Sequence, residues 1–227
     1  MKSFYTILFL IIIASAAIYS QPNIVQALQK GGWTGGLAGW VGWENYKTNV
    51  NLGDYSDVAK VDGFNFIFSS RNGSIVETNG VFGFDFQWRE KTRTTKPDPN
   101  TYNLSEYEKD KVWFLGLWAR YYFRLGGNFA FFMEGSGGYA VFNQVNEIVP
   151  AEEQSTIKLE SSANGFAYNG GIGFSHFIST NAAFEVTGRY EGGSLNGHRE
   201  YSDGSKNDLN IKLGNIFILF GFQIYLR

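Results

Sequence analysis

The sequence predicts an all-β chain, an eight-stranded antiparallel up-and-down transmembrane β-barrel with short periplasmic turns and four long external loops. Three observations predict it. Eight segments alternate strictly between apolar and small or polar residues, the period of a strand with two different faces. The polar connections between them run long, short, long, short, long, short, long, the asymmetry of an outer-membrane barrel. The large apolar and aromatic residues share one face of every segment, and charge, Gly and Ser share the other. A soluble sheet has this the other way round, with its aromatics in a core and its charges in water. Here nothing else in the chain could cover so much apolar face, so that face is read as lipid-covered and the charges as lumenal.

The chain opens with Met1-Lys2-Ser3 and an apolar run, FYTILFLIIIASAAIY, of 16 residues from Phe4 to Tyr19. A short charged start, an apolar stretch and then small residues form a secretory signal peptide, assigned to 1–20. The run is shorter than the ~20 residues a spanning helix needs. Cleavage after Ala17 and cleavage after Ser20 both fit. The barrel domain is assigned to 21–227, and residues 21–30 are expected as a polar lead-in on the periplasmic side.

Strand one is expected over Trp33–Tyr46, with Trp33, Leu37, Val41 and Trp43 outward and Gly36, Ala38, Gly42 and Glu44 inward. Trp40 breaks the pattern and would point inward. After a polar loop over 47–62, strand two runs Gly63–Ile75, with Phe64, Phe66 and Phe68 outward and Asn65, Ser69 and Arg71 inward. A turn at Glu77-Thr78-Asn79 leads to strand three, Val81–Lys91, with Phe82, Phe84, Phe86 and Trp88 outward and Gly83, Asp85, Gln87 and Arg89 inward. Folding this hairpin about Thr78 sets Arg71 opposite Asp85 and predicts an ion pair between them.

A polar loop over 92–110 precedes the longest hairpin, KVWFLGLWARYYFRLGGNFAFFMEGSGGYAVFNQ, strands four and five. Gly126, Gly127 and Asn128 are expected to supply the positive φ of its turn. Trp113, Leu115, Leu117, Tyr121 and Phe123 face out on the first arm, and Trp118, Arg120 and Tyr122 face in. Folding about Gly127 sets Arg120 opposite Glu134. Another loop covers 143–160. Strand six is Asn164–Ile178, with Ile172, Phe174 and His176 outward. The chain turns at Ser179-Thr180 into strand seven, Ala182–Tyr190, with Glu185, Thr187 and Arg189 inward. The last loop, 191–208, leads to strand eight, Leu209–Leu226, whose Ile216, Ile218, Phe220, Phe222, Ile224 and Leu226 share the outer face. Trp43, Trp88, Trp113 and Tyr190 at one end, with Trp33, Tyr121, Phe123, Phe129 and Phe131 at the other, form the two aromatic girdles expected at membrane interfaces.

Composition agrees. The 227 residues include 28 Gly and 18% aromatics but only 18% charged residues, a mix suited to many strands and tight turns. A net charge of −2 gives no basic field for nucleic acid. With no cysteine, neither a disulfide nor a thiolate metal site can form.

The chain resembles the small eight-stranded outer-membrane barrels of Bacteroidetes-type bacteria, similar in architecture to the OmpX and OmpA transmembrane domains. The resemblance rests on QKGGWTGGLAGW, SSRNGSIVETNGVFGFDF, GLWARYYFRLGGNFAFFMEGSGGY, GIGFSHFISTNAAFEV and the terminal FGFQIYL. That ending looks like the signal read by the barrel-assembly machinery, although Leu226 and Arg227 stand where the family usually ends in Phe. The resemblance implies the outer membrane as location and no catalytic residues. It also implies lipid and lipopolysaccharide as surroundings, the assembly machinery as a transient partner, and a monomer.

The candidate site residues are inward charges: Arg71, Asp85, Arg120, Glu134, Glu185 and Arg189. An eight-stranded barrel leaves room inside only for side chains, so these charges must pair with one another, and they are read as a structural ion-pair plug. His198, near Ser194, Glu191 and Glu200 in the last loop, is the one place for a hydrolase triad, which would make a lipid A-modifying enzyme. A loop alone fixes no such geometry. Asp203, Ser205, Asn207 and Asp208 have part of a calcium-loop spacing but lack its remaining ligands. The expectation is a barrel without catalysis, cofactor or metal. Its role is structural, or adhesion to an external protein or surface ligand through the loops. A lipocalin-like soluble barrel is the third alternative and would need an apolar lumen and a polar exterior.

Overall fold

A computed structural model describes residues 24–52, 55–97, 104–150 and 156–226. The expected signal peptide and both of its cleavage positions lie outside these residues. Eight strands close a ring in chain order, each antiparallel to its neighbours. They are β1 (Trp33–Leu52), β2 (Tyr55–Glu77), β3 (Gly80–Pro97), β4 (Leu104–Gly126), β5 (Phe129–Pro150), β6 (Ile157–Ser179), β7 (Ala182–Glu200) and β8 (Lys206–Leu226). No helix among the described residues is long and apolar enough to cross a membrane.

The strands are longer than the apolar alternation. The segments expected as long loops are largely ribbons in which the same ladders continue, as from Tyr46↔Val61 to Leu52↔Tyr55, and from Glu191↔Asn215 to Glu200↔Lys206. Alternation marks where a strand has an apolar side. It falls silent where polar and charged residues occupy both faces, although backbone pairing needs no apolar side chain.

At the opposite end the turns are tight. Asn79, with φ +73°, turns β2 into β3, and Gly126 and Gly127, with φ +95° and +57°, turn β4 into β5. Asn128 stays at negative φ, contrary to expectation, because the two glycines suffice. The three turns share one device. The backbone carbonyls of Asn79, Asn128 and Asn181 accept N–H bonds from Tyr122, Phe177 and Tyr225, at 2.9, 2.8 and 2.8 Å, on β4, β6 and β8, in each case the strand that comes next around the ring. Each hairpin is thereby tied at its tip to the strand that follows it.

Residues 21–30, expected as a polar lead-in, contain instead a short helix, α1 (Ile24–Ala27). Ile24, Ala27 and Leu28 are buried against Ile75, Val81, Tyr122, Phe177 and Tyr225, closing the turn end of the barrel. The Leu28 carbonyl accepts from the Asn79 N–H at 3.2 Å, which fixes the plug to a turn. Apolar residues three and four apart in Ile24, Ala27 and Leu28 carried the signal, but the segment is too short for periodicity to stand out.

The inward and outward faces fall as the alternation requires. Leu115, Leu117, Met133, Ile172, Phe174, Ile218 and Phe222 are exposed, while Phe114, Trp118, Tyr122, Phe132 and Leu219 are buried inside. The outer aromatics touch around the ring. Near the ribbon end Trp43 meets Phe64 at 5.8 Å, Phe66 meets Trp88 at 5.6 Å, and Trp88 stacks on Trp113 at 5.4 Å. Near the turn end the contacts run Tyr121–Phe123–Phe131–Phe174, at 5.1, 5.8 and 5.5 Å. From Trp113 to Phe123 the chain advances about 34 Å at a strand rise of about 3.4 Å. With a tilt of about 40° that is about 25 Å of height, the apolar band of an outer-membrane barrel.

Candidate functional site in the lumen

The lumen is layered. Apolar residues around α1 fill the turn end. A second apolar cluster, including Val112, Phe114, Phe142, Leu195 and Leu213, fills the part toward the ribbons. Charge lies between them. The sequence reading treated the interior as one salt-bridged plug and missed both apolar layers. Phe114, Phe132 and Leu219 at inward positions were the available signal.

The structure places all six candidate charges inside, each nearly inaccessible. Glu134 is the hub. It accepts from Arg71 Nη1 at 2.7 and 2.6 Å on its two oxygens, from Arg120 Nε and Nη2 at 3.1 and 2.7 Å, and from Trp118 Nε1 at 3.2 Å. Arg120 stands opposite Glu134 in the β4–β5 register. Its Nη1 also donates to both oxygens of Glu185, at 2.7 and 2.8 Å, and to the Tyr122 hydroxyl at 2.7 Å. Ser175 completes the Glu185 shell at 2.8 Å. The Arg120 guanidinium lies 3.9 Å from the Phe132 ring centroid, so its flat face meets an aromatic face while its edge meets carboxylates.

Arg71 and Asp85 are register partners, yet the ion pair expected from that is not the one formed. Arg71 reaches along the lumen to Glu134, and Asp85 takes Arg189 from the far wall. Ser69 and Ser136 also donate to Asp85, at 3.2 and 2.8 Å. Register fixes where Cα atoms stand, but in so narrow a barrel an arginine can reach any wall. Sequence reasoning put Gln87 and Arg89 inward but left them, with Glu191, out of the candidate set. Glu191, expected in a loop, is an inward residue of β7, and it accepts from Gln87 at 2.9 Å and Arg89 at 3.0 Å. Four arginines (71, 89, 120 and 189) thus face four carboxylates (85, 134, 185 and 191), and the layer is electrically neutral.

This is a poor setting for catalysis. Each carboxylate is buried and shared among charged and neutral donors, so none is available as a free base. The other candidate fares no better. Ser194 and His198 are on the outer face of β7 while Glu191 points inward to Arg89, so no Ser–His–Glu191 relay assembles. Glu200 is held by Lys206 at 3.0 Å. In the ribbon turn, Ser205 donates to Asp203 through N–H and Oγ at 2.9 and 2.6 Å. These bonds hold the Asp203 carboxyl below the usual carboxylate range. No group of three potential metal ligands occurs among the described residues.

No family profile and no curated protein matches the chain. Among solved structures it is similar to the outer membrane protein OprG from Pseudomonas aeruginosa, with 17% identity and a TM-score of 0.49, over 89% of this chain and 99% of that one. It is also similar to a major outer membrane protein from Thermus thermophilus, with 10% identity and a TM-score of 0.47, over 86% of this chain and all of that one.

Proposed function

We propose that this chain is an integral outer-membrane β-barrel that crosses the bilayer with its lumen closed and acts through the ribbons it holds outside. The observation that carries this is the inversion of its two faces. Aromatic and aliphatic side chains stand exposed around the wall, while four arginines and four carboxylates are sealed within. Water would reverse that arrangement, and a hydrocarbon surround rewards it. The same inversion argues against a lipocalin-like soluble barrel.

The role is structural or adhesive, without catalysis or cofactor. Lipid and lipopolysaccharide surround the wall, the barrel-assembly machinery inserts it, and an external protein or surface ligand meets the ribbons. The likeness of its motifs to OmpX- and OmpA-type barrels supports the same reading. The test is heat-modifiable gel migration of protein from the outer-membrane fraction. Faster migration unboiled than boiled is expected. Recovery of the mature chain from soluble periplasm with no mobility shift overturns the reading.

A further inference from the structure

One seam of the barrel differs from the other seven. β1 and β8 pair only from Trp33↔Leu226 to Gly39↔Phe220. Beyond that point both strands continue, each held on its other side, β1 by β2 as far as Leu52↔Tyr55 and β8 by β7 as far as Glu200↔Lys206. Carrying the β1–β8 register four residues further would set Trp43 against Ile216. These two are the most exposed large hydrophobics of the described barrel, at 76% and 81%, as expected for residues flanking a gap. Trp40 stands where the strands part, its ring over the inner side of Gly42 and partly exposed through the slot.

A cavity of about 560 Å3 fills the notch below the split. Its walls are Leu37, Val41, Phe66, Phe184, Phe220 and Phe222, and Gly39 lies at an outward position where no side chain fills the floor. A second cavity of about 400 Å3 shares Leu37 and Phe222 and continues down the seam to Leu226. The groove is apolar except at Asn72, which lines its lower part and donates to Ser70. At its upper end, by the girdle residue Trp43, the β1 and β8 edges facing the slot lack each other's N–H and C=O groups. An occupant needs an apolar chain below and a hydrogen-bonding head above.

We infer that the split seam holds one acyl chain of an amphiphile. The carboxyl or ester head meets the parted strand edges between Trp43 and Ile216, and the tail runs down past Val41, Leu37 and Phe222. This rests on the bilayer reading above. The occupant is a phospholipid of the surrounding leaflet, which the bilayer reading supplies, and a free fatty acid in its place is an outcome of the test.

Native mass spectrometry of the purified, folded chain, titrated in separate arms with palmitate and with palmitoyl-oleoyl phosphatidylethanolamine, tests the site and identifies the source. A saturable one-to-one adduct is expected with the phospholipid, and an adduct with palmitate alone overturns the inference. Val41→Trp and Leu37→Trp, which fill the groove from its lipid-side walls, should weaken it tenfold or more. Leu115→Trp, on the outer face of β4 away from the seam, should leave it unchanged. Heat-modifiable migration checks that each variant is a closed barrel. Absence of a saturable adduct in both arms overturns the inference, as do equal adducts in both groove variants, equal weakening by Leu115→Trp, or a dimer mass in place of the lipid adduct. If the barrel is heat-modifiable in the outer membrane yet binds nothing, only this inference fails. If it is soluble and unshifted, the bilayer reading fails.

Discussion

Arg120 and Glu134 stand opposite each other in the β4–β5 ladder, and the arginine grips one carboxylate oxygen through Nε and Nη2, at 3.1 and 2.7 Å. Arg71 holds the same carboxylate from β2. Glu134→Gln keeps the shape and removes the charge, leaving two buried guanidiniums to share Glu185. Breaking a buried pair by removing one partner costs about 3–5 kcal/mol. Urea unfolding followed by tryptophan fluorescence should show a loss of that size. Combining Glu134→Gln with Arg120→Met should cost less than the sum of the two single changes.

Gly173 stands under Phe132. A Cβ there would meet the Phe132 ring and the Val186 carbonyl oxygen, and Phe132 is the aromatic face on which Arg120 rests. Gly173→Ala should therefore displace the ring and disturb the charge layer through it, costing about 1–3 kcal/mol as overpacking does. The same unfolding measurement checks it. Ser175→Ala, two residues along on the same face, removes one donor to Glu185 without crowding, and should cost about 1 kcal/mol.

Glu108 and Asp110 lie on the inner side of the β3–β5 ribbon, beyond Trp113 and outside the spanning band. Burial pushes both carboxyls above their usual values of 4.5 and 3.8, and Asp110 raises Glu108 further. Arg93 opposes the rise at Glu108, and the bond from Gln144 opposes it at Asp110. A carboxyl raised in the folded state binds protons more tightly folded than unfolded. Its stabilising contribution is complete below those usual values and is lost as pH rises through the raised ones. Hydrogen exchange of the ribbon amides should therefore quicken, beyond its intrinsic pH dependence, as pH climbs out of the carboxylate range. Glu108→Gln with Asp110→Asn should flatten that extra dependence.

Legibility followed physics residue by residue. The outward run from Ile216 to Leu226 was readable because one face meets an apolar surround, which forces a period of two. The ribbons were not, since the ladders there, as over Thr92–Thr95 and Ser161–Ser162, continue with polar and charged residues on both faces. The charges of the lumen could be named from their inward positions. Their partners could not, because Arg71 selects Glu134 over its register neighbour Asp85 through side-chain reach, a property of the closed ring. The parting of β1 from β8 left only one trace in sequence, the misplaced Trp40.

Leu28 closes the turn end, wholly buried among Ile75, Phe177 and Tyr225. Above it Tyr122 and Tyr225 join hydroxyls at 2.9 Å, directly beneath Arg120 and Glu185. The lumen is thus stopped three times, by the apolar plug, by a charge layer that α1 does not support, and by the apolar cluster toward the ribbons. Leu28→Ala should cost about 2–5 kcal/mol, the range for emptying a buried aliphatic site. It should not open a pore. Planar-bilayer recordings of the wild type and of Leu28→Ala should both stay at baseline, because the Arg120–Glu134–Glu185 layer and the apolar cluster around Phe114 and Leu195 remain. A steady unitary conductance in the variant alone would make α1 the sole barrier and would mean that the charge layer passes ions.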